Sequence, residues 1–285
     1  MSYDIVYILG QNTGSEELRY SLRSVCENFD YNKIWFYCGC PKDIKPDVYV
    51  PFKQVGYNKL DRVHSTFQAI CKNEEITSNF YLFNDDFFIM RPYEQEMQLC
   101  NGSLVNVAQR IEQRNKGETF YTQYLRYTSD VLNKKGYDTL SYEVHAPLLI
   151  NKQKALYVLQ QFPENTQFRS IYGNYWHIGG KLILDTKIED VNQMPQEDVI
   201  LLSTDSNSFN NGLVGVFIKE HFVEPCRYET TKKNSIFKSL IKKEKVEEIQ
   251  IQNIPEQKKF AIFKEKLYNI FRKIKKDYFT FPYEE

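Results

Sequence analysis

The first part of the chain alternates between apolar runs of strand type and helical patterns, and this alternation constrains the fold more than any other feature. Strand-type runs lie at residues 3–9, 33–38 and 80–83. Between them, apolar residues recur at helical spacing, which predicts one helix over 15–29 and another over 60–70. Strand, helix, strand, helix, strand in this order requires right-handed crossovers, and it predicts a mostly parallel sheet with helices on its faces.

Later segments extend this pattern. Residues 104–165 are predicted to be mainly helical, most clearly over 154–162, and residues 198–204 are predicted to form a late strand. The predicted fold class is therefore a Rossmann-like α/β domain with helical insertions over residues 1–230. A C-terminal amphipathic helical tail is predicted over 231–285.

The charge distribution supports a boundary near residue 230. The whole chain has a net charge of zero, but residues 1–230 hold 23 basic and 29 acidic residues, whereas residues 231–285 hold 14 and 8. An acidic body excludes a general polyanion binder, so we expect no nucleic-acid partner. The mean hydropathy is −0.54, and no apolar run approaches the roughly 18 residues of a membrane span, which argues against an integral membrane protein.

Cellular location follows from the amino terminus and the cysteines. Residues 1–10 lack a basic region and carry Asp4, so they indicate a first strand and not a signal peptide. The six cysteines are dispersed, which is typical of reduced thiols in a cytoplasm. We expect a cytoplasmic protein.

The tail has the pattern of a basic amphipathic helix. Its apolar residues fall within one stripe, and basic residues occupy the remaining arc. The apolar stripe is formed by Phe260, Phe263, Leu267, Ile270, Phe271, Ile274 and Tyr278. Such a helix is typical of binding to an anionic membrane surface, here the inner face of the cell membrane. The alternatives are docking on the acidic body or on a second subunit.

Two features are expected at the carboxyl edge of the sheet, where ligands of open α/β folds bind. The first is the loop over residues 10–14, which has neither dinucleotide-binding nor P-loop spacing. Its Gly10 and Asn12 are candidate substrate-binding residues, because a glycine-containing loop lets backbone N–H groups approach a phosphate at the following helix. The alternative is an ordinary strand-to-helix turn.

The second feature is Asn84-Asp85-Asp86, directly after the third strand-type run. Adjacent carboxylates at a strand end suit Mg²⁺ or Mn²⁺, which prefer oxygen ligands and keep positions open for diphosphate oxygens. Asp85 and Asp86 are therefore candidate catalytic residues and metal ligands, with Asn84 beside the substrate. The alternative is a solvated turn or a helix cap.

Two later segments supply further candidates. His145 precedes a proline in an extended stretch and is a candidate acid/base residue, or a hydrogen-bonded structural histidine. Within residues 169–175, Arg169 offers a guanidinium that could clamp a phosphate, and Asn174 follows glycine in a predicted turn. The alternative for this segment is a surface salt bridge and a loop.

The order of these segments resembles the Stealth proteins, a family of capsular polysaccharide phosphotransferases and N-acetylglucosamine-1-phosphotransferases. The resemblance covers about residues 3–163, with a looser fit at 169–174. It rests on DIVY at residues 4–7, ELRYSLRSV at 17–25, YLFNDDFF at 81–88 and EVHAP at 143–147. One departure stands out, since the family's first region continues into Trp-Val-Asp-Gly, whereas this chain has no acid between residue 4 and Glu16.

The resemblance implies a GT-A-like nucleotide-sugar transferase domain and a divalent metal, Mg²⁺ or Mn²⁺. It also implies a nucleotide-diphospho-sugar donor and a glycan or lipid-linked glycan acceptor. Asn84, Asp85, Asp86 and His145 match active-site positions, while Arg19 lies in the second matched region and is assigned with Arg169 to phosphate.

The expected function is transfer of a sugar or sugar-1-phosphate onto a glycan hydroxyl in the synthesis of a bacterial capsule or surface polysaccharide. Because the first-region acid is missing, another carboxylate must substitute or the reaction must differ. The alternative function is a non-catalytic relative that binds a nucleotide or glycan.

Overall fold

The computed structural model describes residues 2–230 except residues 12, 13 and 95, and these residues form two compact units. The first unit comprises residues 2–187, 199–203 and 226–230, and the second comprises 188–198 and 204–225. The predicted tail over 231–285 lies outside the described residues. Its amphipathic helix and the domain boundary at residue 230 therefore stay predictions.

The described residues contain ten strands and eight helices. The strands are β1 (Asp4–Leu9), β2 (Ile34–Cys38), β3 (Val48–Val50), β4 (Asn79–Phe83), β5 (Phe87–Ile89), β6 (Leu99–Cys100), β7 (Leu148–Asn151), β8 (Lys181–Leu182), β9 (Lys187–Ile188) and β10 (Leu201–Thr204). The helices are α1 (Ser15–Asn28), α2 (Lys59–Lys72), α3 (Leu104–Asn115), α4 (Phe120–Lys134), α5 (Lys152–Gln161), α6 (Phe168–Tyr175), α7 (Ser206–Asn211) and α8 (Leu213–His221).

The central sheet of the first unit has the strand order β3-β2-β1-β4-β7. The first four strands are parallel, and β7 lies antiparallel to β4 at the edge. The parallel strands have the order 3-2-1-4, with which the strand order of a doubly wound α/β sheet begins. The predicted mixed α/β fold with a parallel-rich sheet is confirmed.

Both faces of this sheet are covered, as alternate residues of β1 show. Ile5, Tyr7 and Leu9 pack in a cluster with the apolar stripe of α1, whereas Val6 packs in a second cluster with residues of α2 and α5. Successive side chains of a strand point to opposite faces, so a strand covered on both sides is apolar without interruption. This explains why the apolar runs in the sequence located β1, β2 and β4 correctly.

The α2 helix shows why local signals placed the early helices well. Asn58 caps it by accepting hydrogen bonds from the backbone N–H groups of Leu60 and Asp61, and Asp61 completes the capping box. Such a box satisfies backbone donors that have no partner inside the helix. Its inward residues Phe67 and Ile70 are buried at the helical spacing seen in the sequence.

Of three expectations about the later chain, one is confirmed and two need correction. Residues 104–165 are mainly helical, as predicted, although β7 lies between α4 and α5 and pairs with β4. The late strand β10 begins at Leu201 and pairs antiparallel with β5 outside the central sheet. The Gly-Asn turn predicted near residue 174 is wrong, since α6 continues through it to Tyr175.

Packing explains why that glycine lies inside a helix. A Cβ atom on Gly173 would lie 2.4 Å from ring atoms of Tyr142, so only glycine allows α6 to approach this ring. Asn174 is also used internally, since its amide bonds both the N–H and the C=O of Leu140. Tertiary contacts therefore override the local turn signal.

The second unit contains α7 and α8. Asp205 caps α7 with a capping box to Ser208, whose hydroxyl also donates to the carbonyl of Ile188. The two helices meet closely at Gly215, where a Cβ atom would lie 1.8 Å from the carbonyl oxygen of Phe209. None of the predicted site residues lies in this unit.

Candidate functional site

The candidate site lies at the carboxyl edge of the central sheet, where β4 ends and β7 begins. The antiparallel register pairs Leu82 with Leu148, so the residues after β4 and those before β7 share this edge. The rings of Phe87 and His145 accordingly meet edge to face, with centroids 6.1 Å apart. The topology thus brings the predicted histidine and the predicted carboxylates to one end of the sheet.

The two adjacent carboxylates occupy the turn between β4 and β5. Oδ2 of Asp86 forms an ion pair with Nζ of Lys187, which donates a hydrogen bond to it at 3.4 Å. Both side chains are about four-fifths buried. Its other oxygen, Oδ1, is buried and has no hydrogen-bond partner among the described residues. Burial and the charge of Asp86 raise the pKa of Asp85. Asn84 is exposed at the same turn.

His145 is held by an aspartate that the sequence analysis did not identify. Its Nδ1 lies 2.9 Å from both carboxylate oxygens of Asp185, and its backbone N–H donates to the same carboxylate. Although burial opposes ionisation of Asp185, the hydrogen bond and charge of His145 lower its pKa. Thr186 donates to the carbonyl oxygen of His145 at 2.6 Å.

This arrangement fixes how the imidazole can act. When Nδ1 donates to the carboxylate of Asp185, Nε2 carries the lone pair and can accept a proton. The side chain of His145 is 26% exposed, so the ring is accessible from solvent. The pair has the geometry of a general base oriented by a carboxylate.

Arg169 holds the backbone on either side of His145. From α6 its Nη1 donates to the carbonyl oxygens of Val144 and Ala146, at 3.1 and 2.7 Å, which are the residues on either side of His145. Its guanidinium carbon lies 5.5 Å from the ring centroid of Phe87. Burial lowers the pKa of Arg169, against the opposing charge of Glu143.

Nη1 of Arg169 therefore has a positioning role in place of the phosphate contact expected of it, because it donates to the backbone carbonyls on either side of His145. Nη2 is buried and has no hydrogen-bond partner among the described residues, and a contact of this nitrogen with phosphate stays a prediction.

Glu143 adds a third carboxylate to the same segment. Its Oε1 accepts hydrogen bonds from the N–H and the hydroxyl of Ser170, at 3.0 and 3.1 Å. Burial raises its pKa, while the charge of Arg169 acts in the opposite direction.

Three other predicted residues are placed elsewhere or used internally. Arg19 is 2% exposed and pairs with Glu229, at 2.6 Å, and with Asp43, so its expected phosphate role is corrected to an internal ion network. Asn174 is 1% exposed and bonded within the fold, so it is not a substrate residue in this structure. Asn12 lies outside the described residues.

Gly10 lies at the end of β1, as expected. A Cβ atom on Gly39 would lie 2.0 Å from the carbonyl oxygen of Gly10, so the ends of β1 and β2 approach closely through glycine. This contact explains by packing why residue 39 is glycine. A role of Gly10 toward a phosphate stays a prediction.

Asp85 and Asp86 suit a divalent cation that takes only one or two ligands from the protein and the others from substrate phosphates. Within the described part of the chain, no three His, Cys, Asp or Glu side chains converge in a way that holds a metal by themselves. Mg²⁺ is commonly bound by one or two carboxylates together with substrate phosphates. Asp85 and the unpartnered Oδ1 of Asp86 meet that smaller requirement.

Comparison with known proteins adds no assignment to this geometry. No protein-family model matches the chain, and no curated protein matches it at a significant level. Among the helices that the structure describes, none is long and apolar enough to cross a membrane.

Proposed function

We propose that this protein is a GT-A-like, nucleotide-sugar-dependent transferase of Stealth type. It moves a sugar or a sugar-1-phosphate onto a glycan hydroxyl in the synthesis of a bacterial capsule or surface polysaccharide. The observation that carries the proposal is the His145–Asp185 pair at the sheet edge that also presents Asp85 and Asp86. This edge combines a base with groups suited to a diphosphate.

His145 acts as the general base. Nε2 accepts the proton of the acceptor hydroxyl as its oxygen attacks, and Asp185 stabilises the imidazolium that forms. In this proposal Asp185 is also the carboxylate that substitutes for the missing acid of the first region, and it comes from the segment before β9 and not from the end of β1.

The charge that develops on the donor phosphate is met by three groups. Lys187 lies beside Asp86, and the free Nη2 of Arg169 supplies a further donor. Asp85 and Asp86 would hold Mg²⁺ or Mn²⁺, which offsets negative charge on the departing phosphate. Alanine at Asp86 should lower turnover on the order of a hundredfold, because this stabilisation is lost. Unchanged turnover in that variant would contradict the assignment.

Product analysis distinguishes the two reactions that this site can perform. Attack on the sugar-bearing phosphorus releases a nucleoside monophosphate, whereas attack on the anomeric carbon releases the nucleoside diphosphate. Purified full-length protein is incubated with UDP-, GDP- and CDP-linked sugars, a panel of glycans, and Mg²⁺ or Mn²⁺. Nucleotide products are separated by chromatography, with the His145→Ala variant as the inactive control.

The same experiment tests the alternative function. Tight binding of a nucleotide sugar, without release of either nucleotide in the presence of acceptor, would show a non-catalytic binding relative. The ion pair of Lys187 with Asp86 is the observation that favours this alternative, since an ammonium already neutralises that carboxylate. Release that requires His145 would exclude it.

A membrane-bound acceptor would explain the charge of the tail. We propose that residues 231–285 bring the enzyme to anionic lipid at the inner face of the cell membrane, near lipid-linked glycans. Replacement of Arg272, Lys273, Lys275 and Lys276 by Gln should reduce co-sedimentation with phosphatidylglycerol vesicles. Equal sedimentation of the variant and the wild-type protein would refute this part of the proposal.

A further inference from the structure

Four aromatic side chains that are open to solvent meet in the first unit, outside the candidate site. They form what we call the aromatic surface, namely Tyr137, Tyr157, Tyr175 and Trp176. The ring centroid of Tyr175 lies 5.1 Å from that of Tyr137 and 5.5 Å from that of Tyr157. Trp176 lies 4.9 Å from Tyr175 and 5.9 Å from Tyr157. Tyr157, on α5, is 45% exposed, and the other three are partly exposed.

The rings of this surface are held in place from the core side. Tyr137, Tyr175 and Trp176 pack against a cluster of buried residues from α3, α4, α5 and α6. The indole N–H of Trp176 donates to the carbonyl oxygen of Lys154 at 3.2 Å. The N–H groups of residues 177 and 178 donate to carbonyl oxygens in the last turn of α6, which fixes the end of that helix. A ligand would therefore meet rings that lose little further freedom on binding.

Two ammonium groups lie against the same rings. Nζ of Lys154 is 5.1 Å from the ring centroid of Trp176. Nζ of Lys135 is 5.4 Å from the ring centroid of Phe162, a buried ring that contacts Tyr137. Both lysines are exposed, and within the described part of the chain neither ammonium forms an ion pair. This surface can therefore attract a negative group, although residues 1–230 as a whole carry more acidic than basic residues.

This combination of rings and charges suits an acidic sugar. A pyranose has a face of C–H groups that packs on an aromatic ring, and its hydroxyls can bond to tyrosine hydroxyls at the ring edges. A carboxylate or phosphate on the sugar can pair with Lys135 or Lys154, because the exposed Asp138 faces His177, at 3.9 Å, and forms no ion pair with either lysine. A nucleic-acid strand also offers rings for stacking, but its dense charge requires a basic excess that this body lacks.

We propose that the aromatic surface binds a chain of sugars that carry carboxylate or phosphate groups. The surface is connected to the candidate site by α6, whose second residue is Arg169 and whose last residue is Tyr175. Six helical residues span about 9 Å along the axis. A glycan held here would raise the effective concentration of its neighbouring sugars at the sheet edge. This consequence rests on the proposed function, whereas the binding itself does not.

Tryptophan fluorescence of the full-length protein tests the binding without any transfer reaction. The chain has two tryptophans, and Trp35 is 1% exposed, so acrylamide should quench mainly Trp176. Oligogalacturonate, hyaluronan and teichoic acid supply acidic sugar or phosphate chains, and at least one of them should protect Trp176. Neutral dextran should bind about fivefold more weakly. No quenching of Trp176 in the free protein, or no protection by any acidic chain, would overturn the proposal.

Substitution of the rings tests where the glycan binds. Trp176→Ala should lower the affinity for the protecting glycan about tenfold or more in titration calorimetry, because a central stacking ring is lost. Tyr157→Ala, at a more exposed ring, should lower it in the same direction with little effect on folding. Tyr57→Ala is the matched control, since Tyr57 is fully exposed and lies outside the aromatic surface. An equal loss of affinity in Tyr57→Ala would contradict the assignment.

Substitution of the lysines tests the requirement for an acidic sugar. The double variant Lys135→Gln, Lys154→Gln should bind the acidic glycan about fivefold more weakly at low salt, with little change for dextran. Lys53→Gln, at another exposed lysine, should bind both glycans as the wild-type protein does. Unchanged affinity of the double variant for the acidic glycan would refute the role of charge.

Light scattering tests whether a second copy of the chain covers the surface instead. The wild-type protein and Trp176→Ala should have the same molar mass at equal concentration. A wild-type dimer that becomes a monomer in Trp176→Ala would assign the surface to self-association and overturn the proposal. Because none of these measurements uses a nucleotide sugar, their failure leaves the proposed transfer reaction untouched, and absence of transfer leaves the binding result standing.

Discussion

Two groups of buried arginines and carboxylates in the first unit differ in how their polar atoms are used. In the ion network, Arg19 and Arg23 both donate to Glu229, at 2.6 and 2.7 Å, and Arg19 also contacts Asp43. At the sheet edge, Arg169 donates to backbone carbonyls and keeps one nitrogen without a partner among the described residues. Asp86 likewise keeps one unpartnered oxygen there. The network also holds a buried atom without a hydrogen bond, Arg19 Nε, but this nitrogen is ion-paired with Glu16 at 3.4 Å.

This difference separates charges that hold the fold from charges that can hold a ligand. A buried polar atom without a partner costs free energy of roughly 1–3 kcal/mol, so its persistence needs an explanation such as a bound ion or a catalytic role. The network pairs the charges of α1 with the carboxylates of Asp43 and Glu229. The edge leaves donor and acceptor capacity beside a carboxylate-held histidine, which is why we place the site there.

The largest expected effect is on catalysis at the edge. Replacement of His145 by Ala should lower kcat by about 10²–10⁴, because the base for the acceptor hydroxyl is lost. The free energy of unfolding should change little, since the side chain is partly exposed. His177→Ala is the matched control, as His177 also faces an aspartate, at 3.9 Å, but is 65% exposed. An equal loss of kcat in both variants would contradict the role of His145 as the general base.

The ion network should respond to mutation in stability and not in turnover. Glu229→Gln leaves Arg19 and Arg23 without their shared charge partner, and the variant should be destabilised by about 3–5 kcal/mol in urea unfolding. Glu112→Gln, which breaks the more exposed pair with Arg126, should be nearly neutral. A loss of kcat per folded molecule in Glu229→Gln would show that the network also serves the site.

Replacement of Asp185, which holds His145, should have a smaller effect on turnover. Asp185→Asn should lower kcat by about a hundredfold, because the ring loses its fixed tautomer and the stabilisation of imidazolium. KM for the donor should stay nearly constant, since Asp185 contacts the base and not the phosphate groups. A change confined to KM would instead assign Asp185 to substrate binding.

The sequence predicted the parts of the fold that depend on local periodicity. Apolar runs and helical spacing located β1, β2, β4, α1 and α2, since each packs a continuous run or stripe into the two covered faces of the sheet. The antiparallel β7 was missed because four residues between helical patterns carry little periodic signal.

The candidate site was half predicted, and the missing half depends on long-range contacts. Asp85, Asp86 and His145 were found by motif and by resemblance. Asp185 and Lys187 lie between two-residue strands, where no spacing or motif marks them. Only the folded chain shows Asp185 at His145.

Arg19 shows the converse error, in which a motif suggested a ligand-binding residue. It lies in the ELRYSLRSV segment on which part of the family resemblance rests. Its partner Glu229 lies near the other end of the described chain, so spacing could not reveal the pair. A charged residue in a motif can therefore serve an ion pair inside the fold, and the motif alone does not distinguish this role from ligand binding.

The smallest expected effect is on the pH dependence of the free energy of unfolding. It has opposite signs for Asp85 at the sheet edge and Glu229 in the ion network, because their pKa values are shifted in opposite directions. The pKa of Asp85 is raised in the folded protein by burial and by the charge of Asp86. At pH values above the usual pKa of an aspartate, about 4, the ionised carboxylate of Asp85 therefore destabilises the folded state. Asp85→Asn should therefore raise the free energy of unfolding at pH 7, and the gain should vanish as the pH falls below that range.

Glu229 behaves in the opposite sense, because its pKa is lowered despite burial by hydrogen bonds from Arg23 and Arg19. Its ionised form stabilises the folded state above the usual range of a glutamate and loses this effect as the pH falls through the lowered value. The deficit of Glu229→Gln should thus shrink in acid. Urea unfolding of both variants from pH 3 to 7 measures the two trends. Parallel trends would show that the fold stabilises the ionised form of Asp85, as it does that of Glu229.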